Sequence, residues 1–245
     1  MHFRPLPGLS IATGLLFVAL VGLGIWQLER LQWKLALIAS AHDRLNAPPI
    51  PFAEALRKGD AQYRRVVLHG RFQNGKEAFV FATDASGAPA YHVIVPFATR
   101  SGVVMVDRGI VPPSLRDPAN RKAGSSDREQ TLAGVWHLPE GAGIFTPAPD
   151  LERRTWYARD IRSIARQEGI HLATPAIIEA DASPNPGGWP RGGQTVVTFR
   201  NDHLQYALTW FALALGLVCV YIAYHASKGR LARGRSPIAA GEGRR

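Results

Sequence analysis

At 245 residues, with 29 Lys+Arg against 19 Asp+Glu and a net charge of +10, the chain is strongly basic. Residues 29–202 nevertheless hold 22 basic and 18 acidic side chains, and no Lys/Arg stripe interleaved with aromatics marks a nucleic-acid surface. The lone cysteine, Cys219, excludes an intramolecular disulfide, a paired-thiolate copper or zinc site and a CxxCH haem attachment.

After a short polar segment, residues 1–8, the run Leu9 to Leu28 is apolar and uncharged. As a helix it would be about 30 Å long, the hydrocarbon thickness of a bilayer, so 9–28 is expected to be a first transmembrane helix. Cleavage as a signal peptide at Ala39-Ser40-Ala41 is disfavoured, because the charged stretch from Glu29-Arg30 to Lys34 separates the apolar run from that triplet. Trp26, Arg30 and Trp33 follow at i, i+4, i+7 and should share one helix face, with Gln27 and Lys34 beside it.

Residues 29–202 are long enough for one ordinary core and read mostly as β. Tyr63 to Phe72 predicts a strand, Asn74-Gly75 a tight turn and Glu77 to Ala82 a return strand, the strongest short hairpin signal in the chain. Tyr91 to Thr99 and Val103 to Val111 form a second pair around Ser101-Gly102. Thr131 to His137, Thr155 to Ala158, Ala176 to Glu179 and Thr195 to Arg200 supply shorter strands. Helices are expected over Phe52 to Lys58 and Asp160 to Glu168, with Asp160 capping and Gly169 terminating the latter. The Pro-, Gly- and Ser-rich stretches Pro112 to Ser126 and Ser183 to Gly193 read as surface loops. The fold class is a membrane protein in which two transmembrane helices flank a β-rich α+β domain, an antiparallel barrel or sandwich.

The domain's histidines, His42, His69, His92, His137 and His171, lie far apart without HExxH, and neither GxSxG nor a P-loop occurs. Each alone reads as a packing or surface residue, and no catalytic residue is expected.

The second apolar run, Leu204 to Tyr224, makes 203–224 the second span, with His203 at its threshold and Asn201 or Asp202 as a capping side chain. The small-residue pair Ala212 and Gly216 permits close helix approach. Lys228, Arg230, Arg233, Arg235, Arg244 and Arg245 make 225–245 a basic tail expected in the cytoplasm. Two spans then put residues 1–8 on the same side and the central domain across the membrane. Arg30, Lys34 and Arg44 argue the other way, but long loops cross largely regardless of charge.

His203, Tyr206 and Trp210, at i, i+3, i+7, descend from the surface at which Trp26, Arg30 and Trp33 emerge. Together they offer an imidazole for iron, aromatic walls for a flat macrocycle and cations for propionates. Taken singly, the aromatics also suit an interfacial belt, and Arg30 and Lys34 suit snorkelling to headgroups.

The segment Gly24-Ile-Trp-Gln-Leu-Glu-Arg-Leu-Gln-Trp-Lys34 resembles the GxWQxxRxxWK signature of the surfeit-locus-protein-1 family, membrane factors for assembly of cytochrome c oxidase. Tyr63-Arg64 through Gly70-Arg71-Phe72 to Glu77 is similar to its first loop motif, and Val106-Asp107-Arg108-Gly109-Ile110-Val111-Pro112 to its VNRGWVP motif. Trp156-Tyr157 with Asp160 resembles a WxxxD-type region. Gly192-Gly193-Gln194-Thr195 and Arg200 to Tyr206 with Thr209-Trp210 resemble the closing segment. Asp107 and Ile110 depart from the usual Asn and aromatic.

The resemblance implies a non-catalytic haem a chaperone of respiratory chain biogenesis. His203 would ligate the iron, Trp26, Trp33, Tyr206 and Trp210 would flank the ring, and Arg30, Lys34 or Arg200 would pair the propionates. The implied partner is the large oxidase subunit, with the haem a synthesis machinery and membrane lipid beside it and no nucleic acid. The alternative is a scaffold that holds the oxidase subunit without binding haem. The absence of an Arg- and Ser-rich presequence before Leu9 favours a bacterial inner membrane, with the domain in the periplasm and both termini cytoplasmic.

Overall fold

The computed structural model describes residues 2–3, 5–139, 141–195, 199 and 201–232. In chain order they form β1 (His2–Phe3), α1 (Pro7–Asn46), β2 (Ile50–Pro51), α2 (Phe52–Lys58), β3 (Arg65–Phe72), β4 (Ala78–Thr83) and β5 (Pro89–Thr99). There follow β6 (Gly102–Val111), β7 (Gln130–His137), β8 (Thr155–Trp156), α3 (Ile161–Gln167), β9 (Leu172–Ala180), α4 (His203–Ser227) and β10 (Leu231–Ala232). Two compact units result, a helical one holding α1 up to Ile38 together with α4, and a β-rich one beginning at Ala39.

In the helical unit, α1 and α4 are the two membrane-spanning helices, with mean hydropathies of 2.2 and 2.0. Only 6% and 11% of their apolar windows are buried, so nearly the whole circumference is left for lipid, unlike a core helix of a globular protein. They run antiparallel. The close approach falls at Gly24, where a Cβ would lie 2.5 Å from Cε1 of Phe211, and at the buried Ala207 and Ala214. Ala212 and Gly216 are not part of it. A Cβ on Gly216 would meet nothing within 4 Å, because these two residues project from the opposite side of α4.

At the far end of the pair, His225 is fully buried. Its Nδ1–H donates to the Tyr221 carbonyl at 2.9 Å, and its Nε2 faces the Leu6 N–H at 3.4 Å. Ser10 and Tyr221 share a hydroxyl hydrogen bond nearby, and β1 pairs antiparallel with β10.

The β-rich unit closes on itself. Its sheet order is β2-β3-β7-β9-β6-β5-β4-β8, and an additional β3–β5 pairing joins β3, β7, β9, β6 and β5 into a five-stranded ring. Alternation along the strands fills two layers. Val93, Val95 and Phe97 of β5, Val104 and Val106 of β6 and Ile178 of β9 point into the ring with Leu68, Phe72 and Trp136. Ile94, Met105 and Ile177, their immediate neighbours in sequence, point outward under Ile161, Ile164 and Ala165 of α3. With both faces covered, β5 reads as a continuous apolar run.

Several sequence expectations match these elements. The β5–β6 hairpin is antiparallel with Thr99 opposite Gly102, α2 spans Phe52–Lys58, and the Asp160 carboxylate accepts from Ser163 N–H at the start of α3. The expected hairpin around Asn74-Gly75 does not form. Asn74–Lys76 is a 3₁₀ turn, and β3 and β4 both pair with β5, β4 along Pro89–Ile94 and β3 along Phe97–Thr99. The eleven-residue β5 is long enough to serve both, and the turn redirects the chain around the ring instead of reversing it. Gly70 makes the closure possible, since a Cβ there would sit 2.0 Å from the Ala98 carbonyl oxygen.

Pro112 to Ser126 is also more than a surface loop. It holds two 3₁₀ segments and buries Arg121, whose guanidinium makes a two-pronged ion pair with the buried Glu77. Beside it, Arg108 stacks on Phe72 at 4.5 Å and donates to the Gly124 carbonyl at 2.7 Å. Burial pulls Arg108 down to about 10. Most of the expected strand Thr195 to Arg200 lies outside the described residues.

Candidate functional site

The polar end of the α1–α4 pair is built by helix geometry. Gly24, Gln27, Leu31 and Lys34 recur at i, i+3, i+7, i+10 and form the side of α1 turned toward α4. His203 opens α4 immediately after Asp202, its N-cap residue, and it meets Gln27. His203 Nδ1–H donates to the Gln27 carboxamide oxygen at 2.7 Å. Of the two neutral tautomers, that contact selects the one protonated on Nδ1, in which the Nε2 lone pair is available to a metal.

The remaining site residues divide between two faces. Lys34 sits with its ammonium 5.6 Å from the Phe199 ring centre, on the same side of α1 as Gln27. Trp210, two turns below His203, is half-buried, and its indole Nε1 is a buried donor without a hydrogen-bond partner. Asn201 Oδ1, just ahead of α4, is a buried acceptor in the same condition.

Trp26, Arg30 and Trp33 do share a face, with the Arg30 guanidinium 4.6 Å over the Trp33 ring. That face is turned away from the seam with α4. Trp26 is 49% exposed, Trp33 54% and Tyr206 52%. Arg200 lies outside the described residues. The Gln27–His203 contact is what a reading of spacings along each helix separately misses; the signal was Gln27 itself, an amide inside an otherwise apolar turn.

The β-rich unit contains a second polar arrangement that sequence separation concealed. His137 on β7, Glu179 on β9, Asp107 on β6 and His92 on β5 stand on four adjacent strands, with Asp107 and Glu179 in register. Alternation puts them on the outer face, beyond the apolar patch of Met105 and Ile177. His92 Nδ1 lies 2.8 Å from the Asp107 carboxylate, and His137 Nδ1 lies 2.9 Å from Glu179. Arg159, just before α3, spans both acids at 3.4 and 2.6 Å.

Burial pushes the Asp107 carboxyl up, but the His92 imidazole, Arg159 and the Gly109 N–H outweigh it and hold the group below the usual carboxylate range. Burial likewise opposes ionisation of Glu179, and hydrogen bonds from His137 and Thr195 with the Arg159 charge bring it below its ordinary value. The two carboxylates and their donors are mutually satisfied, as a structural ionic ladder requires. Next to it, Gly109 has φ +106° and leaves room for the Arg191 carbonyl, 1.8 Å from where a Cβ would be. This lets Ile110 and Arg191 exchange backbone hydrogen bonds at 3.0 Å.

A family model described as the SURF1 family matches residues 14–215. Surfeit locus protein 1 of Mus musculus is 38% identical over 209 residues, covering 78% of this chain and 67% of that protein. The Gallus gallus protein of the same name is 36% identical over 220 residues, covering 82% of this chain and 70% of its own. A SURF1-like protein of Rickettsia felis is 31% identical over 213 residues, covering 85% and 92%.

Proposed function

Because the chain belongs to the SURF1 family, we propose that it is a non-catalytic factor of cytochrome c oxidase assembly that holds haem a, as cargo, at the outer membrane boundary for the large oxidase subunit. The observation that carries the reading is the His203–Gln27 hydrogen bond. An imidazole whose Nδ1–H is engaged by an amide oxygen keeps Nε2 as the atom available to iron, and its ring orientation is set in advance.

The surrounding groups suit the rest of the cargo. Lys34 is a cation on the His203 side of the span's end for a propionate, with Arg200 as a further candidate and Arg30 on the outward face, and Tyr206 and Trp210 supply aromatic surface along α4. The unpartnered Trp210 Nε1 is a donor that a polar edge of the macrocycle would satisfy. Ligation through one histidine at a helix end, whatever holds the second position, suits release as well as capture, which a carrier needs. The basic tail supports an inner membrane location with both termini in the cytoplasm and the β-rich unit in the periplasm. Handing haem a to the oxidase subunit also brings the haem a synthesis machinery into range as an upstream partner.

A second reading, a scaffold that contacts the oxidase subunit without haem, draws on the outward turn of Trp26 and Trp33, whose exposed rings suit a partner helix as well as a macrocycle. Absorption spectra of protein purified from cells that make haem a separate the two. Haem a in the parent and its loss in His203→Ala support the carrier. A colourless, folded parent that still co-purifies the oxidase subunit supports the scaffold.

A further inference from the structure

Ile144 and Phe145 are 97% and 98% exposed, more than any other large apolar side chains of the described residues. They are the two central residues of a turn that is built, not slack. Thr146 N–H donates to the Gly143 carbonyl at 3.0 Å, and Gly143 N–H donates to the Thr146 hydroxyl at 2.9 Å. Pro147 and Pro149 stiffen its C-terminal side, and the base of the segment is seated on the domain, where Ala142, Thr146 and Pro147 line a small void with Trp156, Tyr157 and Ser163. No charge occurs from Gly141 to Pro149.

We propose that this turn is a second membrane contact of the β-rich unit, in which Ile144 and Phe145 enter the boundary between headgroups and acyl chains. Isolated exposed apolar residues are ordinary, but a braced, uncharged turn that presents two bulky ones together is a wedge. A specific protein interface takes roughly 20–30 residues a side, and two side chains on a narrow tip fall far short of that. A lipid surface demands no such shape match. Both ends of the β-rich unit continue into membrane spans, so contact with the bilayer is intramolecular and a weak wedge is populated without independent affinity. The contact limits the domain's freedom to swing on its two tethers.

The native chain has one cysteine, exposed on the lipid side of α4, so a Cys219→Ala background carrying Ile144→Cys gives a single labelling site. The full-length protein, spin-labelled there, is placed in nanodiscs of phosphatidylethanolamine and phosphatidylglycerol. Ser101→Cys in the same background, on the exposed β5–β6 turn, is the reference. The expected result is a label at 144 reached several-fold more readily by oxygen than by a water-soluble nickel chelate, while the label at 101 shows the reverse. Equal chelate access at 144 and 101 overturns the proposal. A label at 144 that is water-exposed in lipid-only discs yet shielded in native membranes also overturns it, and assigns the turn to a protein partner.

Discussion

His203 on α4 and Gln27 on α1, 176 positions apart in sequence, share a 2.7 Å hydrogen bond between Nδ1 and the carboxamide oxygen. Removing that acceptor leaves His203 free to rotate and to change tautomer. On the proposed role of His203 as the haem a ligand, Gln27→Leu should therefore weaken binding about 10- to 100-fold, the usual scale for losing an outer-shell partner of a metal-ligating histidine. Gln27→Glu, which keeps an acceptor, should retain most of it. Titration of the detergent-solubilised apoprotein followed at the haem absorption band measures both, and equal affinity in Gln27→Leu would show that the bond has no part in ligation.

Gly24 sets the distance between the spans. A Cβ there would lie 2.5–2.9 Å from three carbons of the Phe211 ring, so Gly24→Ala forces the ring or the helix to move. The expected cost is about 1–3 kcal/mol of helix pairing. Phe211→Ala in the same chain should recover much of it. Thermal unfolding in detergent, followed by far-ultraviolet circular dichroism, would reveal the loss and the recovery.

The buried Arg121–Glu77 pair predicts strong asymmetry between single and double substitution. Arg121→Met leaves the buried Glu77 carboxylate without its hydrogen-bonded partner, with only the neighbouring Arg108 as countercharge, and should cost about 3 kcal/mol. Glu77→Leu together with Arg121→Met removes both charges of the pair and should lie closer to the parent, falling short of it by the loss of Glu77 as countercharge to the buried Arg108. Denaturant unfolding monitored by tryptophan fluorescence is the test, and a double variant as weak as the single one would refute this account of the pair.

Acid should loosen the β-rich unit through Asp107 and Glu179. Both carboxyls lie below their ordinary range when folded, so on acidification the unfolded chain takes up their protons first. Their contribution is complete above the unfolded carboxylate range, near pH 4, and is lost as pH falls through the lower native values. Asp107→Asn should lower the midpoint at neutral pH and flatten its fall in acid. A Tm profile between pH 7 and pH 3 that is the same for variant and parent would exclude Asp107 from this linkage.

What was legible in the sequence depended on range. The two spans follow from uninterrupted hydropathy, α3 from the Asp160 cap, and β5–β6 from strands separated by a short turn. The Asn74-Gly75 signal misled because it is local, whereas β3 pairs according to ring closure at Gly70 and Ala98, which no short window contains. Arg121 read as a loop residue because its partner, Glu77, lies 44 positions away.

His92 and His137 looked isolated for the same reason, since only strand order brings them to Asp107 and Glu179. At the candidate site, periodicity correctly grouped Trp26, Arg30 and Trp33 on one face, but which face of α1 meets α4 is decided by Gly24 and Phe211. That choice brought Gln27, and not either tryptophan, to His203.

Chemical rescue of the proposed ligand is the most direct test. His203→Gly, loaded with haem a in detergent, should lose the parent's absorption spectrum and regain it on addition of imidazole, which replaces the missing side chain at the iron. A His203→Gly protein that binds haem a with the parent spectrum before any imidazole is added would contradict ligation by His203.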